Sequence, residues 1–88
     1  MKPVCARCHL AMHPQENGVA AIEMLRTRRY ALWEADLYEC PDCGAQVVTG
    51  FAYKPAALEH EPRFAAACDS SGTIIEWWHS LDEQWGDT

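Results

Sequence analysis

Cys5-Ala6-Arg7-Cys8 and Cys40-Pro41-Asp42-Cys43-Gly44 are two Cys-x-x-Cys pairs separated by residues 9–39, and their reading decides the fold. Two residues between cysteines let both sulfurs of a tight turn point at one centre. The amide N–H groups of the same turn can then donate to the thiolates. Two such turns supply the tetrahedral sulfur set that Zn²⁺ prefers, so Cys5, Cys8, Cys40 and Cys43 are the expected ligands of one structural ion. Pro41 restrains the second turn, and Gly44 can take the left-handed conformation that closes it. Structural zinc contributes about 10–16 kcal/mol in peptide systems near neutral pH, comparable to the whole stability of a typical domain. The metal is expected to decide whether the chain folds.

Other uses of the cysteines fit less well. Two disulfides need an oxidising compartment, whereas Met1-Lys2-Pro3-Val4 leads straight into a cysteine pair without the apolar run of a secretory signal. Redox-active Cys-x-x-Cys chemistry needs a pair at a helix start within a βαβ unit, which the pattern lacks. Cys5-Ala6-Arg7-Cys8-His9 also matches a haem attachment motif, but that use would strand the second pair. His9 and His13 are candidates for supporting contacts to the metal ligands. The fifth cysteine, Cys68, follows Ala65-Ala66-Ala67 and reads as a buried free thiol.

Outward from the pairs, the chain alternates in the manner of strands. Asn17-Gly18 is a turn signal, and residues 19–25 read as the first strand. Thr27-Arg28-Arg29 reads as a hairpin tip. In residues 32–39, Trp33, Ala35 and Leu37 alternate with Glu34, Asp36 and Tyr38, giving a second strand that runs into Cys40. Residues 46–52 are β-branched and aromatic, a third strand. Pro55 closes the sheet region, residues 56–58 suggest a helical turn, and Pro62 suits the start of a helix over 63–68. Residues 73–85 are ambiguous. Thr73-Ile74-Ile75-Glu76-Trp77-Trp78 has strand composition, whereas Ile74, Trp77 or Trp78, Leu81 and Trp85 fall at helical spacing; helix after about Glu76 is the reading preferred.

Length and charge bound the function. Eighty-eight residues make one domain, marginal in size without a staple. No apolar run is long enough to span a bilayer, and a reducing, cytoplasmic setting is expected. The net charge is −6. Residues 1–54 are neutral, whereas 55–88 carry only Arg63 against seven acids. Such a surface repels phosphate backbones and disfavours nucleic acid.

The spacing of the pairs and the segment Tyr38-Glu39-Cys40-Pro41-Asp42-Cys43-Gly44 resemble the zinc-ribbon and rubredoxin-like group over about residues 3–53. That resemblance implies a small α+β protein. A zinc ribbon of antiparallel strands would form the core (1–54), with an acidic, Trp-rich, partly helical extension (55–88) packed on it or projecting from it. It also brings an alternative cofactor, Fe, held by the same four thiolates in an electron carrier. Rubredoxins usually have glycine where His9 stands here. Met12-His13-Pro14, Asn17-Gly18-Val19 and Leu32-Trp33-Glu34-Ala35-Asp36-Leu37 further resemble small uncharacterised zinc-ribbon proteins of phages and bacteria. The expected function is non-enzymatic: a protein-interaction module, in the phage setting a modulator or inhibitor of a host protein. The expected interaction residues are Arg26, Arg28 and Arg29 on the hairpin and Trp77, Trp78 and Trp85 in the tail. Exposed tryptophan would serve a protein partner or a homodimer. The same arginines carry the alternative of a nucleic-acid-binding ribbon.

Overall fold

The structure is a computed structural model that describes residues 1–85, apart from the side chain of Trp85. Its spine is a long antiparallel hairpin, β1 (His13–Leu25) and β2 (Arg28–Glu39). The two-residue loop is Arg26-Thr27, with Arg26 at φ 57°. That left-handed backbone is costly for a residue with a Cβ. The indole N–H of Trp78 pins the loop by donating to the Arg26 carbonyl at 2.8 Å. The tip therefore lies one residue earlier than expected, and Arg28 and Arg29 belong to β2. Partners far along the same chain draw them into the strand: Arg28 reaches Glu59 and Arg29 reaches Glu76, each at 3.0 Å.

Three further strands complete one sheet. β3 (Gln46–Thr49) lies antiparallel to the end of β2, and the two-residue β4 (Ala57–Leu58) pairs with its start. β5 (Ile74–Trp77) runs parallel to β1 on the far side, giving the order β3-β2-β1-β5. Two short helices, α1 (Phe64–Asp69) and α2 (Leu81–Trp85), follow β4 and β5. Several expectations are corrected here. The helical turn expected at 56–58 is β4, because the Ala56 amide donates to the Leu32 carbonyl at 2.7 Å and draws this stretch onto β2. The third strand stops at Thr49, and Pro62 precedes α1 without joining it. The ambiguous stretch is strand through Trp77 and helix only from Leu81.

Asn17-Gly18 does not turn the chain. Gly18 has the positive φ (77°) that the sequence suggests, but it sits at a register shift inside β1. Its amide donates to Asp36 Oδ1 of β2 at 3.1 Å, so the extra residue becomes a bulge.

Strand alternation then sorts the apolar residues onto two faces. On one, Ala20, Ile22, Met24 and Leu32 pack under Ala57, Phe64 and Cys68, with Trp78 against them. Cys68 is 1% exposed, the buried thiol that was expected. On the other, Val19, Ala21 and Ala35 form a floor flanked by Trp33, Leu37, Val48, Ile75 and Trp77. Helix α1 covers the first face. The second is lined with half-buried aromatic side chains. Among the described residues, no helix is long and apolar enough to cross a membrane.

Candidate metal centre

Both cysteine pairs sit at one end of the hairpin, where strands are interrupted by tight turns. Cys40 follows β2 directly, and its turn leads into β3. The first turn is clamped beside β1 by a Val4–Ala11 bridge and a 2.8 Å bond from the Met12 amide to the Pro3 carbonyl.

The two turns repeat one another bond for bond. The Cys5 amide donates to the Leu10 carbonyl at 2.9 Å, and the Cys40 amide donates to the Ala45 carbonyl at 2.8 Å. The residue after each second cysteine then turns back. His9 donates to the Cys5 carbonyl at 2.7 Å and Gly44 to the Cys40 carbonyl at 3.1 Å. Both take left-handed backbone, φ 60° for His9 and 77° for Gly44. His9 thus does with strain what Gly44 does without it.

The asymmetry gives a paired prediction. His9→Gly relieves a left-handed residue and is expected to stabilise the metal-loaded protein by roughly 0.5–1 kcal/mol after glycine's entropy cost. Gly44→Ala is expected to destabilise it by about 1 kcal/mol. A Cβ at Gly44 would meet nothing within 4 Å, so that cost is backbone alone. Thermal melting checks both, and equal signs for the two variants would refute the equivalence of the turns.

Within this frame the sulfurs converge. Cys5 Sγ and Cys43 Sγ are 3.8 Å apart, and the sulfurs of Cys5, Cys8, Cys40 and Cys43 all lie within 4.8 Å of one another. A tetrahedron with Zn–S bonds of about 2.3 Å has sulfur–sulfur edges of about 3.8 Å. The donor set fits a single tetrahedral ion. Amides support the sulfurs: Cys8 N–H reaches Cys5 Sγ at 3.4 Å. The amides of Cys43 and Asp42 donate to Cys40 and, against the opposing effect of burial, pull its thiol down to about 7. Cys8 moves the other way. Burial raises it first, then hydrogen bonds to the neighbouring thiols and to Asp42, whose Oδ2 lies 3.5 Å from Cys8 Sγ. In the metal-free cluster Cys40 is therefore set to ionise before Cys8.

Cys5 and Cys40 are buried and Cys43 is exposed, so the centre has an inner and an outer side. The inner side rests on Met12, only 2% exposed, with Tyr38 alongside. Sequence reading missed Met12 as a support for the centre. Its signal was an apolar residue four positions after Cys8, at the point where the chain re-enters the sheet.

The other expected residues are dispersed. His9 and His13 are exposed, and among the described residues neither imidazole hydrogen-bonds a cysteine sulfur. Arg28 and Arg29 are neutralised by Glu59 and Glu76 in place of forming a bare cationic tip with Arg26. Trp77 and Trp78 point to opposite faces of the sheet, toward the aromatic floor and toward α1 respectively. Trp85 ends α2, and its side chain lies outside the described part.

Among the described residues, the fold and site define a mixed-strand β-sheet protein with two short helices and four cysteines positioned to bind one metal ion. No protein-family model matches the chain, and neither the curated proteins nor the solved structures provide a match.

Proposed function

We propose that the four cysteines hold one Zn²⁺ as a structural ion, and that the protein is a non-enzymatic module acting through a protein partner. The observation that supports this reading is the convergence of four sulfurs within 4.8 Å. Four thiolates complete a tetrahedral shell and leave no open position for water or substrate. The ion's contribution is then to fasten the first turn to the β2–β3 connection.

Charge supports a basic protein partner. The chain carries a net charge of −6, and such an excess of carboxylates attracts a cationic groove over a distance of about a Debye length. A modulator or inhibitor that occupies a basic site on a host protein has this character. The nucleic-acid alternative is weakened by the ion pairs at Arg28 and Arg29.

The deciding experiment is metal analysis after growth with zinc and iron both in excess, read together with the visible spectrum. One zinc per chain, without a thiolate-to-iron charge-transfer band, supports the structural reading. Stoichiometric iron with that band replaces it with an electron carrier. For the partner, complex formation is expected to weaken steeply as salt is raised, and a salt-insensitive complex would remove the electrostatic part of the proposal.

A further inference from the structure

The four clustered cysteines differ in what can reach them from outside. Cys5 and Cys40 are buried, Cys8 is half-buried and Cys43 is exposed. A small reagent arriving from solvent therefore meets Cys43 first. Cys8 is the other residue on the outer side, but its Sγ lies 3.5 Å from Asp42 Oδ2. An anion expelled at Cys8 would leave past that carboxylate, at a Coulombic cost.

Cys43 also has a partner within reach. Cys5 Sγ lies 3.8 Å from Cys43 Sγ, across the two turns. A disulfide bond is about 2.05 Å long, so closing the gap takes less than about 2 Å of sulfur movement. Cys40, from the same turn as Cys43, is the competing partner. Its sulfur is held by two amide donors, those of Cys43 and Asp42. Cys5 Sγ accepts one long bond, from the Cys8 N–H at 3.4 Å. Moving Cys5 forfeits less. Cys68 packs in a separate cluster on the α1 face and does not compete.

We infer, on the reading of the site as a four-thiolate zinc centre, that Cys43 is an oxidation site at which a hydroperoxide converts the metal clasp into a Cys5–Cys43 disulfide. The Cys43 thiolate attacks one oxygen of hydrogen peroxide. An S–O bond forms, the O–O bond breaks, and hydroxide leaves with the bonding pair. Cys43 is then a sulfenic acid, oxidised by the two electrons that the peroxide has taken up. The Cys5 thiolate attacks its sulfur. The S–S bond forms, and the S–O bond breaks to release a second hydroxide. The net change turns two thiolates and one peroxide into one disulfide and two hydroxides. Cys8 and Cys40 remain, half of a tetrahedral thiolate set, and the ion is released. The disulfide joins the same two turns that the ion joined.

The test treats the zinc-loaded full chain with hydrogen peroxide after its zinc content has been measured. Absence of stoichiometric zinc at the outset would overturn the metal reading and the inference with it; every later failure counts against the inference alone. Zinc release is followed with a chromogenic chelator, and disulfides are mapped by peptide mass spectrometry after free thiols are blocked. Zinc is expected to leave as the disulfide forms, with Cys5–Cys43 exceeding every other pair by about fivefold or more. Cys43→His keeps a fourth zinc ligand but removes the exposed thiol, and is expected to slow release by about tenfold or more. Cys68→Ser is expected to change neither the rate nor the map. A dominant Cys40–Cys43 or Cys5–Cys8 disulfide would overturn the inference, as would zinc loss without any disulfide. So would zinc retained at a peroxide concentration that fully oxidises free cysteine. Should Cys43→His fail to load zinc, the disulfide map of the unaltered chain decides alone.

Discussion

Removing the metal with a chelator, or replacing Cys40 with serine, is expected to abolish cooperative melting of the sheet. Cys40 is 1% exposed and sits at the junction between β2 and the turn into β3. Without an ion, four sulfurs within 4.8 Å of one another, one of them already inclined to ionise, gain at most weak S–H contacts from their proximity. A structural zinc ion supplies about 10–16 kcal/mol in peptide systems, against about 5–15 kcal/mol for a whole domain. Far-UV circular dichroism and calorimetry after chelation measure the outcome, and a retained native melt would end the structural-metal reading. Cys68→Ser is the control. It perturbs a buried thiol on the α1 side, leaves the centre intact, and is expected to keep a cooperative, zinc-dependent transition.

Acid should release the ion, with a definite sign. Metal binding needs all four thiolates, so protons compete with it as pH falls. In the metal-free protein the lowered pKa of Cys40 adds stability that is complete above the ordinary thiol value of 9.0 and lost as pH falls through about 7. Cys8, raised, acts in a different window: its contribution is present below 9.0 and is lost only on going further alkaline. The two do not cancel near neutrality. Zinc release followed with a chromogenic chelator should therefore rise on acidification.

The four cysteines positioned to bind a metal ion were legible because their chemistry is local: each pair fixes its own turn, and only the meeting of the pairs is long-range. The alternation around Trp33, Ala35 and Leu37 likewise reported β2 directly. What failed to read were features decided by distant partners. Asn17-Gly18 carried the correct backbone demand, but positive φ serves a bulge as well as a turn. The choice was made by Asp36 across the hairpin. Residues 73–78 had strand composition competing with helical spacing, and the strand prevails because β1 offers Ala20 to Glu23 as a parallel edge. Arg28 and Arg29 looked like a free tip because Glu59 and Glu76 lie far along the chain. The aromatic packing on the second face was similarly hidden. Phe51 and Trp77 are remote in sequence, and nothing local says that they share a face with Trp33.

The same non-local packing sets the expected outcome of cutting the chain after Lys54, the boundary that the cysteine pattern suggests for a self-contained ribbon. Residues 1–54 are expected to bind zinc yet fail to melt cooperatively. Cutting there removes β4, α1 and β5, and with them Ala57, Phe64 and Cys68 from above Ala20, Ile22, Met24 and Leu32. Burial of each large apolar side chain is worth about 1.5–3 kcal/mol. Exposing Ile22, Met24 and Leu32 together therefore consumes most of a typical domain's margin. It also bares the edge of β1 that β5 occupies, a site for self-pairing. The cysteine turns depend on none of these contacts, so metal affinity and cooperative folding should separate in the fragment. Zinc stoichiometry, calorimetry and binding of a hydrophobic dye resolve the two. A fragment that melts within a few degrees of the full chain would mean that the hairpin and its metal are sufficient. Loss of the melt with retained zinc would show that the packing of the second half is required for cooperative folding alongside the ion.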